Sequence, residues 1–455
     1  MTAIVTDPFK RKLAADLLTE VQSSTDSNEF YIGIGKTDTY DSSDTTITPV
    51  RHLFEERVGR GNLESIKKIT ASSFVVTRNN WSSGTIYSAF NDKQEGYPTN
   101  PYYVLTEDNE VYICLHQSKS ATGSANPSTV KPSFSAAGVN QVQAFETSDG
   151  YRWKLLYAIP AGDATNFLTA GFHPVALVTT DSASASITQL QQLNIQNTAT
   201  KGQIIGVEVV DGGTGYSSAP TLTFRGNGSN AAATATINGG AIVKVEMDNE
   251  SGGLGSGYDY ASVSFSGNAT LRPIIGPREG IGADARADLK SSSVMFNIKP
   301  AGSETNTFNI TNDFRQISLF RNLDLTDSAS DGGRFSGVTA KVNRNMTLTG
   351  TISATGFAVD EVITGGTSGT TAIIDEVDSS SGKTIRFHQN EKTQNGNFTD
   401  GEALSGSLGA SGTVDSGNLF GTVDVYSGDL LYIENRARIV RSSAQTEDIK
   451  VILTV

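Results

Sequence analysis

The sequence is poor in the residues that most often form crosslinks or metal sites. Its 455 residues include one cysteine, Cys114, so no disulfide can form within the chain. Cys114 lies in a short apolar run, where we expect a small buried side chain rather than a nucleophile. The four histidines share no metal-ligand spacing; they are His52, His116, His173 and His388. We therefore expect no metal site.

The motifs of common enzyme classes are also missing. The sequence has no Walker pattern and no nucleophile elbow of the G-x-S-x-G type. Glycine runs such as 212–215 have no helix pattern after them that could hold a phosphate, so we interpret them as turns. Aspartate-rich stretches at 38–44 and 248–250 do not match a calcium loop and indicate solvated loops. We expect no catalytic residues, no cofactor and no enzyme activity.

The charge balance argues against nucleic acid as a partner. With 35 basic and 48 acidic residues, the formal net charge is −13. Such a chain is poorly suited to neutralise phosphates or to bind an anionic membrane surface. No apolar run approaches the roughly 18 residues of a membrane-spanning helix, and the first residues do not resemble a signal peptide. We expect a protein that assembles in a cytoplasm without membrane insertion.

The residues that are abundant favour strands and turns. Only 18% of residues are charged, while 46 are glycine, and 20 Phe and 14 Tyr supply apolar surface for several small cores. Alternating apolar residues predict strands at 30–34, 111–115, 153–159 and 449–455. The fold class predicted is mainly β, a multi-domain antiparallel β-sandwich or barrel architecture. A small α/β portion is expected from the N- and C-terminal segments.

Two segments predict helices. Asp7 is a suitable N-cap, Pro8 suits the first helical position, and an apolar stripe follows at Phe9, Leu13, Leu17 and Val21. The segment 50–68 mixes apolar and charged residues, and we interpret it as one or two short helices broken at 59–61.

Two glycine-rich stretches differ from the rest of the chain, and we call 186–276 the first insert and 347–420 the second insert. The first insert contains a weak repeat of about 40 residues, in which a strand, a Gly-Tyr pair and a second strand recur. One such unit cannot bury a face alone, so we expect the two copies to pair or pack together. The remaining segments are interpreted as an N-terminal part of the core domain (1–80), a β domain (81–185) and the other core strands (277–346 with 421–455).

Two groups of residues are candidates for contacts. Tyr97 and Tyr102 lie in an aromatic and proline cluster, which could bind a sugar or a partner protein, or could cover an edge of a β domain. Glu434, Asn435 and Arg436 separate two apolar runs. We interpret them first as a charged hairpin turn held by local hydrogen bonds, and second as a subunit contact.

Five blocks between Ala3 and Ile449, in which about half of the chain takes part, resemble one known family, most clearly at the two ends. The family is the baseplate wedge protein that forms a dimer in each wedge of T-even-type contractile-tailed phages. The matching blocks occur in the family's order. The first is Ala3-Ile4-Val5-Thr6 with the following helix and Phe30 to Gly35, and the last is Gly428-Asp429-Leu430-Leu431-Tyr432-Ile433-Glu434-Asn435-Arg436 with Gln445-Thr446-Glu447-Asp448-Ile449. Between them lie Tyr112-Ile113-Cys114-Leu115, then Asp149-Gly150-Tyr151-Arg152-Trp153 through Pro160, and then Phe314-Arg315-Gln316-Ile317-Ser318.

The resemblance has three departures, one of which is that the family's cysteine-bearing insertion after the strand of Cys114 and Leu115 is absent. Ala437-Arg438 stands where the family has Pro-Pro. The two inserts do not match the family and look like modules common in tail proteins of marine phages.

The resemblance implies a non-catalytic role in a virion. The family member is a mostly β protein that forms a homodimer and joins other wedge proteins around a central hub. On host contact the baseplate changes shape and releases sheath contraction. The alternative function is a carbohydrate-binding or receptor-recognition tail protein, with Tyr97, Tyr102 and the inserts as contacts.

Overall fold

The structure is a computed structural model that describes residues 4–23, 28–35, 49–94, 101–135, 138, 140–175, 177–178, 186–248, 253–301, 313–326, 333–378, 381–440 and 446–455. Strands make up 42% and helices 12%, so the predicted mainly β fold is confirmed.

The five helices of the described residues are short, apart from the first. They are α1 (Asp7–Gln22), α2 (Leu53–Gly61), α3 (Ala161–Phe167), α4 (Ile187–Asn197) and α5 (Ala285–Asp288). The helix predicted from Asp7 is confirmed as α1, but Phe9 and Leu13 of its apolar stripe are 55% and 41% exposed. Ser186 begins α4 with a capping box, in which its side chain and that of Gln189 each accept a backbone N–H.

The strands before the first insert's sheets are β1 (Phe30–Gly35), β2 (Leu63–Lys68), β3 (Ala71–Thr77), β4 (Tyr103–Leu105), β5 (Glu110–His116), β6 (Ala144–Glu146), β7 (Arg152–Ala158) and β8 (Phe172–Val175). Those of the first insert are β9 (Ile204–Asp211), β10 (Thr223–Gly226), β11 (Ser229–Ala231), β12 (Ala233–Asn238), β13 (Ala241–Met247), β14 (Leu254–Ser256), β15 (Ala261–Ser264) and β16 (Thr270–Ile275).

The remaining strands are β17 (Ser293–Ile298), β18 (Asp313–Arg321), β19 (Asp324–Leu325), β20 (Thr339–Lys341), β21 (Arg344–Thr349), β22 (Val362–Gly365), β23 (Thr371–Val377), β24 (Thr384–His388), β25 (Ala403–Gly406), β26 (Ser411–Leu419), β27 (Val423–Asp424), β28 (Asp429–Val440) and β29 (Ile449–Thr454).

The chain divides into two compact units. Unit 1 contains Met1–Leu18, Ser73–Met295 and Ile452–Val455, and unit 2 contains Thr19–Ser72 and Phe296–Val451. Each unit therefore combines segments that are far apart in sequence, and each carries one of the two inserts.

Unit 1 is built around the antiparallel sheet β4-β5-β7-β6. The ring of Trp153 stacks on Tyr151 and meets Tyr87 edge-on, with ring centroids 5.7 and 5.6 Å apart. Cys114 is fully buried beside them, so its predicted place in the core is confirmed. Burial also raises the pKa of the Cys114 thiol well above its usual range, which makes it a poor nucleophile.

The two repeats of the first insert pair, as predicted. Strand β10 of the first copy runs antiparallel to β15 of the second, with Phe224 opposite Val263. The tyrosine of each copy's Gly-Tyr pair packs against a glycine of the other copy. Tyr216 lies against Gly267 at the end of the second copy, and Tyr258 lies against Gly226 at the end of the first, where any Cβ would collide with or crowd the ring.

Two asparagines complete this exchange in the first insert. Asn227 of the first copy accepts a hydrogen bond from the backbone N–H of Asp259 at 2.9 Å. Asn268 of the second copy accepts one from the backbone N–H of Thr214 at 3.0 Å. Each copy thus completes the turn of the other, which gives the insert an approximate internal two-fold symmetry.

Unit 2 contains a five-stranded antiparallel sheet in the order β20-β2-β1-β18-β28. This sheet joins N-terminal strands to C-terminal ones, since Ile34 of β1 pairs with Ile317 of β18, which in turn pairs with Glu434 of β28. With α2, it forms the small α/β portion that the sequence predicts.

The prediction of helices over 50–68 is wrong in its second half. The helix α2 ends at Gly61, and the following residues form β2, whose Leu63 and Ile66 are buried beside Tyr31. Pairing with both β1 and β20 overrides the helical preference of the charged residues in this segment.

The second insert forms a closed six-stranded barrel with the order β21-β24-β23-β22-β25-β26, which we call the barrel. Its interior is filled by apolar side chains, among them Met346, Ile374, Phe387 and Val414. A second repeat, not recognised in the sequence, lies here: residues 357–373 and 398–414 share the spacing of a Phe, a Glu and a Gly.

In this second repeat, the glutamate of each copy accepts hydrogen bonds from the turn of the other copy. Glu402 accepts hydrogen bonds from the backbone N–H groups of Thr367 and Ser368, both at 2.8 Å, in the first copy's turn. Glu361 accepts one from the backbone N–H of Leu408 at 2.7 Å in the second copy's turn. The barrel therefore repeats the approximate two-fold arrangement of the first insert with carboxylates in place of amides.

Candidate subunit-contact surface

The long strand β28 lies at one end of its sheet. It has twelve residues and pairs with β18 on one side, with register shifts at Leu431 and across residues 436–438. No further strand follows it in the sheet order of the described residues. An outer strand presents backbone groups that a strand from another chain can pair with, unless the protein blocks that edge. The side chains of Arg436, Ala437 and Arg438 are exposed. This strand is therefore a candidate site for subunit pairing.

Glu434, Asn435 and Arg436 lie inside β28, so the interpretation of these residues as a hairpin turn is wrong. Asn435 is opposite Gln316 of β18, and its side-chain oxygen accepts a hydrogen bond from the Gln316 amide at 2.9 Å. Three consecutive polar residues suggested a turn in the sequence. In a strand at the edge of a sheet, however, polar side chains reach solvent or a polar neighbour without leaving the extended conformation.

One face of β28 carries a small polar network. Glu434 accepts hydrogen bonds from the Tyr432 hydroxyl at 2.6 Å and from Arg436 Nε at 2.9 Å. Burial, and then the hydrogen bond to Glu434, raise the pKa of the Tyr432 phenol well above its usual range. These two hydrogen bonds hold the Glu434 carboxylate beside the outer edge of the strand.

A groove of about 710 Å³ lies next to β28 in unit 2. It is lined by residues 49–53, 55 and 56 on one side and by residues 430–433 on the other. Three apolar side chains at or beside the groove are strongly exposed: Val50 at 57%, Leu53 at 69% and Phe54 at 48%. We call β28 with this groove the β28 surface. It joins an outer strand to exposed apolar area, a combination that is typical of protein contacts.

The structure does not support Tyr102 as an exposed contact. Tyr102 is 1% exposed, and its hydroxyl donates a hydrogen bond to the backbone oxygen of Asp288 at 2.7 Å within unit 1. Its ring packs edge-on against Phe90 and Tyr103. Large rings next to a strand are drawn into the core when their hydroxyl finds a partner there. Tyr97 lies outside the described residues.

The histidines of the described residues are dispersed and engaged in local structure. His52 caps α2 by accepting the backbone N–H of Glu55 at 3.0 Å. His173 is fully buried, and burial lowers its pKa to about 4. His388 contacts the buried carboxylate of Asp375 at 2.6 Å inside unit 2. No group of three potential metal ligands occurs in the part of the chain that the structure describes.

Two exposed aromatic side chains escaped the sequence analysis. Phe420 and Tyr426 are each 64% exposed and line one cavity of unit 2. The sequence gives a weak signal for them, since both rings stand beside glycine or serine in a short connection. Nothing in that pattern shows that the two rings share a cavity.

Within the described ranges, no helix is both long and apolar enough to span a membrane. No model of a protein family matches the chain, and no curated protein matches it either.

Proposed function

We propose that this chain is a structural subunit of a phage tail baseplate wedge. It acts through protein–protein contacts, without catalysis, in baseplate assembly and in the rearrangement that triggers sheath contraction. It assembles in the host cytoplasm, resides in the virion, and has itself and other wedge proteins as partners. The observation that carries the proposal is the β28 surface, because an outer strand beside an apolar groove is suited to subunit pairing.

The position of the resembling blocks supports this proposal. Three of them, distant in sequence, form the adjacent strands β1, β18 and β28 of one sheet. Two others form β5 and β7, which are also neighbours in a sheet. The resemblance to the wedge family therefore falls on paired core strands of both units, where packing constrains the sequence.

The sequence of β28 suits pairing with a second copy of itself. If two copies run antiparallel about an axis at Asn435, Glu434 of each lies opposite Arg436 of the other. The same register places Leu431 opposite Ile439 and Ile433 opposite Ala437. Opposite charges and apolar pairs across strands are both stabilising, and a two-fold axis makes each such pair occur twice. We propose this register for the homodimer.

The experiment is a charge exchange read by light scattering of the full chain at micromolar concentration. The natural chain should be a dimer, and Glu434→Arg should shift it to monomer, because two arginines then face each other. The double variant Glu434→Arg with Arg436→Glu should restore the dimer, since the opposite charges return. Arg225→Glu, an exposed charge change on the first insert, serves as the control and should leave the dimer intact.

A monomeric natural chain would contradict the dimer, and a dimer insensitive to Glu434→Arg would contradict this register. The non-catalytic role is tested separately by incubating the chain with host polysaccharide. We expect no release of reducing sugar, and a sustained release would argue for an enzyme instead.

A further inference from the structure

A cavity of about 210 Å³ opens in unit 2 where the barrel joins the rest of the unit. Its wall includes Asn343 and Arg344 at the start of β21, Asn395, and the two exposed rings of Phe420 and Tyr426. We call it the Phe420–Tyr426 cleft. Its volume corresponds to roughly seven water molecules, so it has room for one small ring rather than for a long chain.

Phe420, one of the two exposed rings of the cleft, is packed against a rigid part of the barrel. The guanidinium of Arg344 lies between Phe387 and Phe420, 5.3 and 5.6 Å from their ring centroids. Phe387 is fully buried in the barrel core, so this stack ties Phe420 to a rigid element. An aromatic face that is fixed and open to solvent can bind the apolar C–H face of a small ring without a large loss of conformational entropy.

The wall of the cleft also contains unsatisfied polar groups. Asn343 Oδ1 is a buried acceptor without a donor, and Arg344 Nε is a buried donor without an acceptor, among the residues that the structure describes. Buried polar atoms are rarely left without a partner. A hydroxyl group is both donor and acceptor, so a ligand with several hydroxyls can bond both atoms once their side chains turn towards the cleft, since neither atom is exposed to solvent in this structure.

The guanidinium groups at the cleft already donate hydrogen bonds to oxygens of the protein. Arg344 donates to the side-chain oxygens of Gln389, Asn397 and Asn418 at 2.8–3.0 Å. Arg60 donates to three backbone oxygens of the connection that carries Tyr426. A phosphate or carboxylate ligand would have to break these bonds, whereas an uncharged ligand would not. The chemistry of the cleft therefore favours a neutral ligand.

We propose that the Phe420–Tyr426 cleft binds a neutral sugar ring. The two aromatic rings hold its apolar face, and the groups of Asn343, Arg344 and the nearby Asn395 bind its hydroxyls. This site is separate in residues from the β28 surface, so it adds glycan contact to the structural role proposed above and does not depend on the dimer.

The test is saturation-transfer NMR of the full chain with methyl glycosides of glucose, galactose, N-acetylglucosamine and rhamnose. Glucose 6-phosphate serves as the anionic probe. At least one neutral glycoside should bind with millimolar affinity, and the phosphate should not. Phe420→Ala and Tyr426→Ala should each weaken binding about tenfold. Tyr260→Ala removes an equally exposed ring, 66% exposed, on the first insert and should change nothing.

Because Phe420 and Tyr426 are exposed, their alanine variants should keep the natural melting temperature. Lack of signal from all four neutral glycosides at millimolar concentration would overturn the proposal, as would binding that survives both substitutions. A third outcome also overturns it: the two variants weaken association between protein subunits while sugar binding is absent. The cleft would then be a protein contact.

Discussion

The first insert and the barrel are built on the same plan with different chemistry. In both, a short glycine-containing repeat occurs twice, and a polar side chain of each copy accepts hydrogen bonds from the turn of the other copy. The first insert uses the amides Asn227 and Asn268, whereas the barrel uses the carboxylates Glu361 and Glu402. The glutamates are almost fully buried, and the asparagines are exposed.

The two kinds of contact make the inserts sensitive to different changes in pH and sequence. A buried carboxylate that accepts several N–H bonds is a strong contact, but it depends on pH, because the proton competes for the same oxygens. An exposed amide is a weaker contact that does not titrate. In the first insert the two tyrosines therefore contribute stabilisation that does not titrate, through burial of their rings in its two apolar clusters.

The largest effect is expected from Tyr258→Ala in the first insert. Tyr258 is 4% exposed and packs on Gly226 and Gly228 of the other copy, so its removal leaves a cavity. We expect a loss of about 3 kcal/mol in the unfolding free energy of the insert. Hydrogen exchange of the insert's amides measures it.

Tyr216→Ala is the matched variant and should cost less, because Tyr216 is only partly buried. Equal losses at the two positions would show that ring burial does not dominate the stability of this insert.

The next effect is expected from Glu402→Gln in the barrel. Burial alone would raise the pKa of Glu402, but hydrogen bonds from Ser368, Thr399 and Thr367 outweigh it and hold the pKa below its ordinary value. The amide keeps the shape but loses charge-assisted bonds, so we expect a loss of about 2 kcal/mol at neutral pH. Thermal unfolding and exchange of the barrel amides measure the change.

The pH dependence gives the control for Glu402. Since the folded pKa is lower than the unfolded one, the carboxylate stabilises the barrel at pH values above about 4.3 and this contribution is lost as pH falls through the folded pKa. The loss should be absent in Glu402→Gln. Glu361→Gln should cost about half as much, because fewer donors reach Glu361. A barrel with unchanged stability at pH 3 would refute the role of the carboxylates.

The smallest effect is expected from Asn227→Asp, which places a carboxylate in the first insert. The Asn227 amide donates to the Asp259 carboxylate at 2.8 Å, so the substitution sets two negative charges against each other. We expect a loss of about 0.5–1 kcal/mol at neutral pH that shrinks in acid or high salt.

Asn268→Asp is the matched control, because Asn268 contacts Thr214 rather than an acid. If the two substitutions have the same effect, the charge of Asp259 does not matter.

Individual residues show which parts of the fold can be predicted from the sequence. The alternation around Trp153 predicts β7, and the apolar surroundings of Cys114 predict its burial, because both follow from a local pattern. The strand nature of residues 63–68 could not be predicted, since β2 owes its conformation to pairing with β1 and β20. The interpretation of Glu434, Asn435 and Arg436 as a hairpin turn was wrong for the same reason, because the pairing of this segment with β18 is not visible in the sequence.

The mainly β class, the paucity of motifs for chemistry and the repeat of the first insert could all be predicted from the sequence. These depend on composition and short-range periodicity. Three features became visible only in the folded chain: Tyr102 is interior, Phe420 and Tyr426 share a cleft, and β28 is an outer strand of its sheet. The physical reason is that burial and strand position depend on partners hundreds of residues away, which no local pattern specifies.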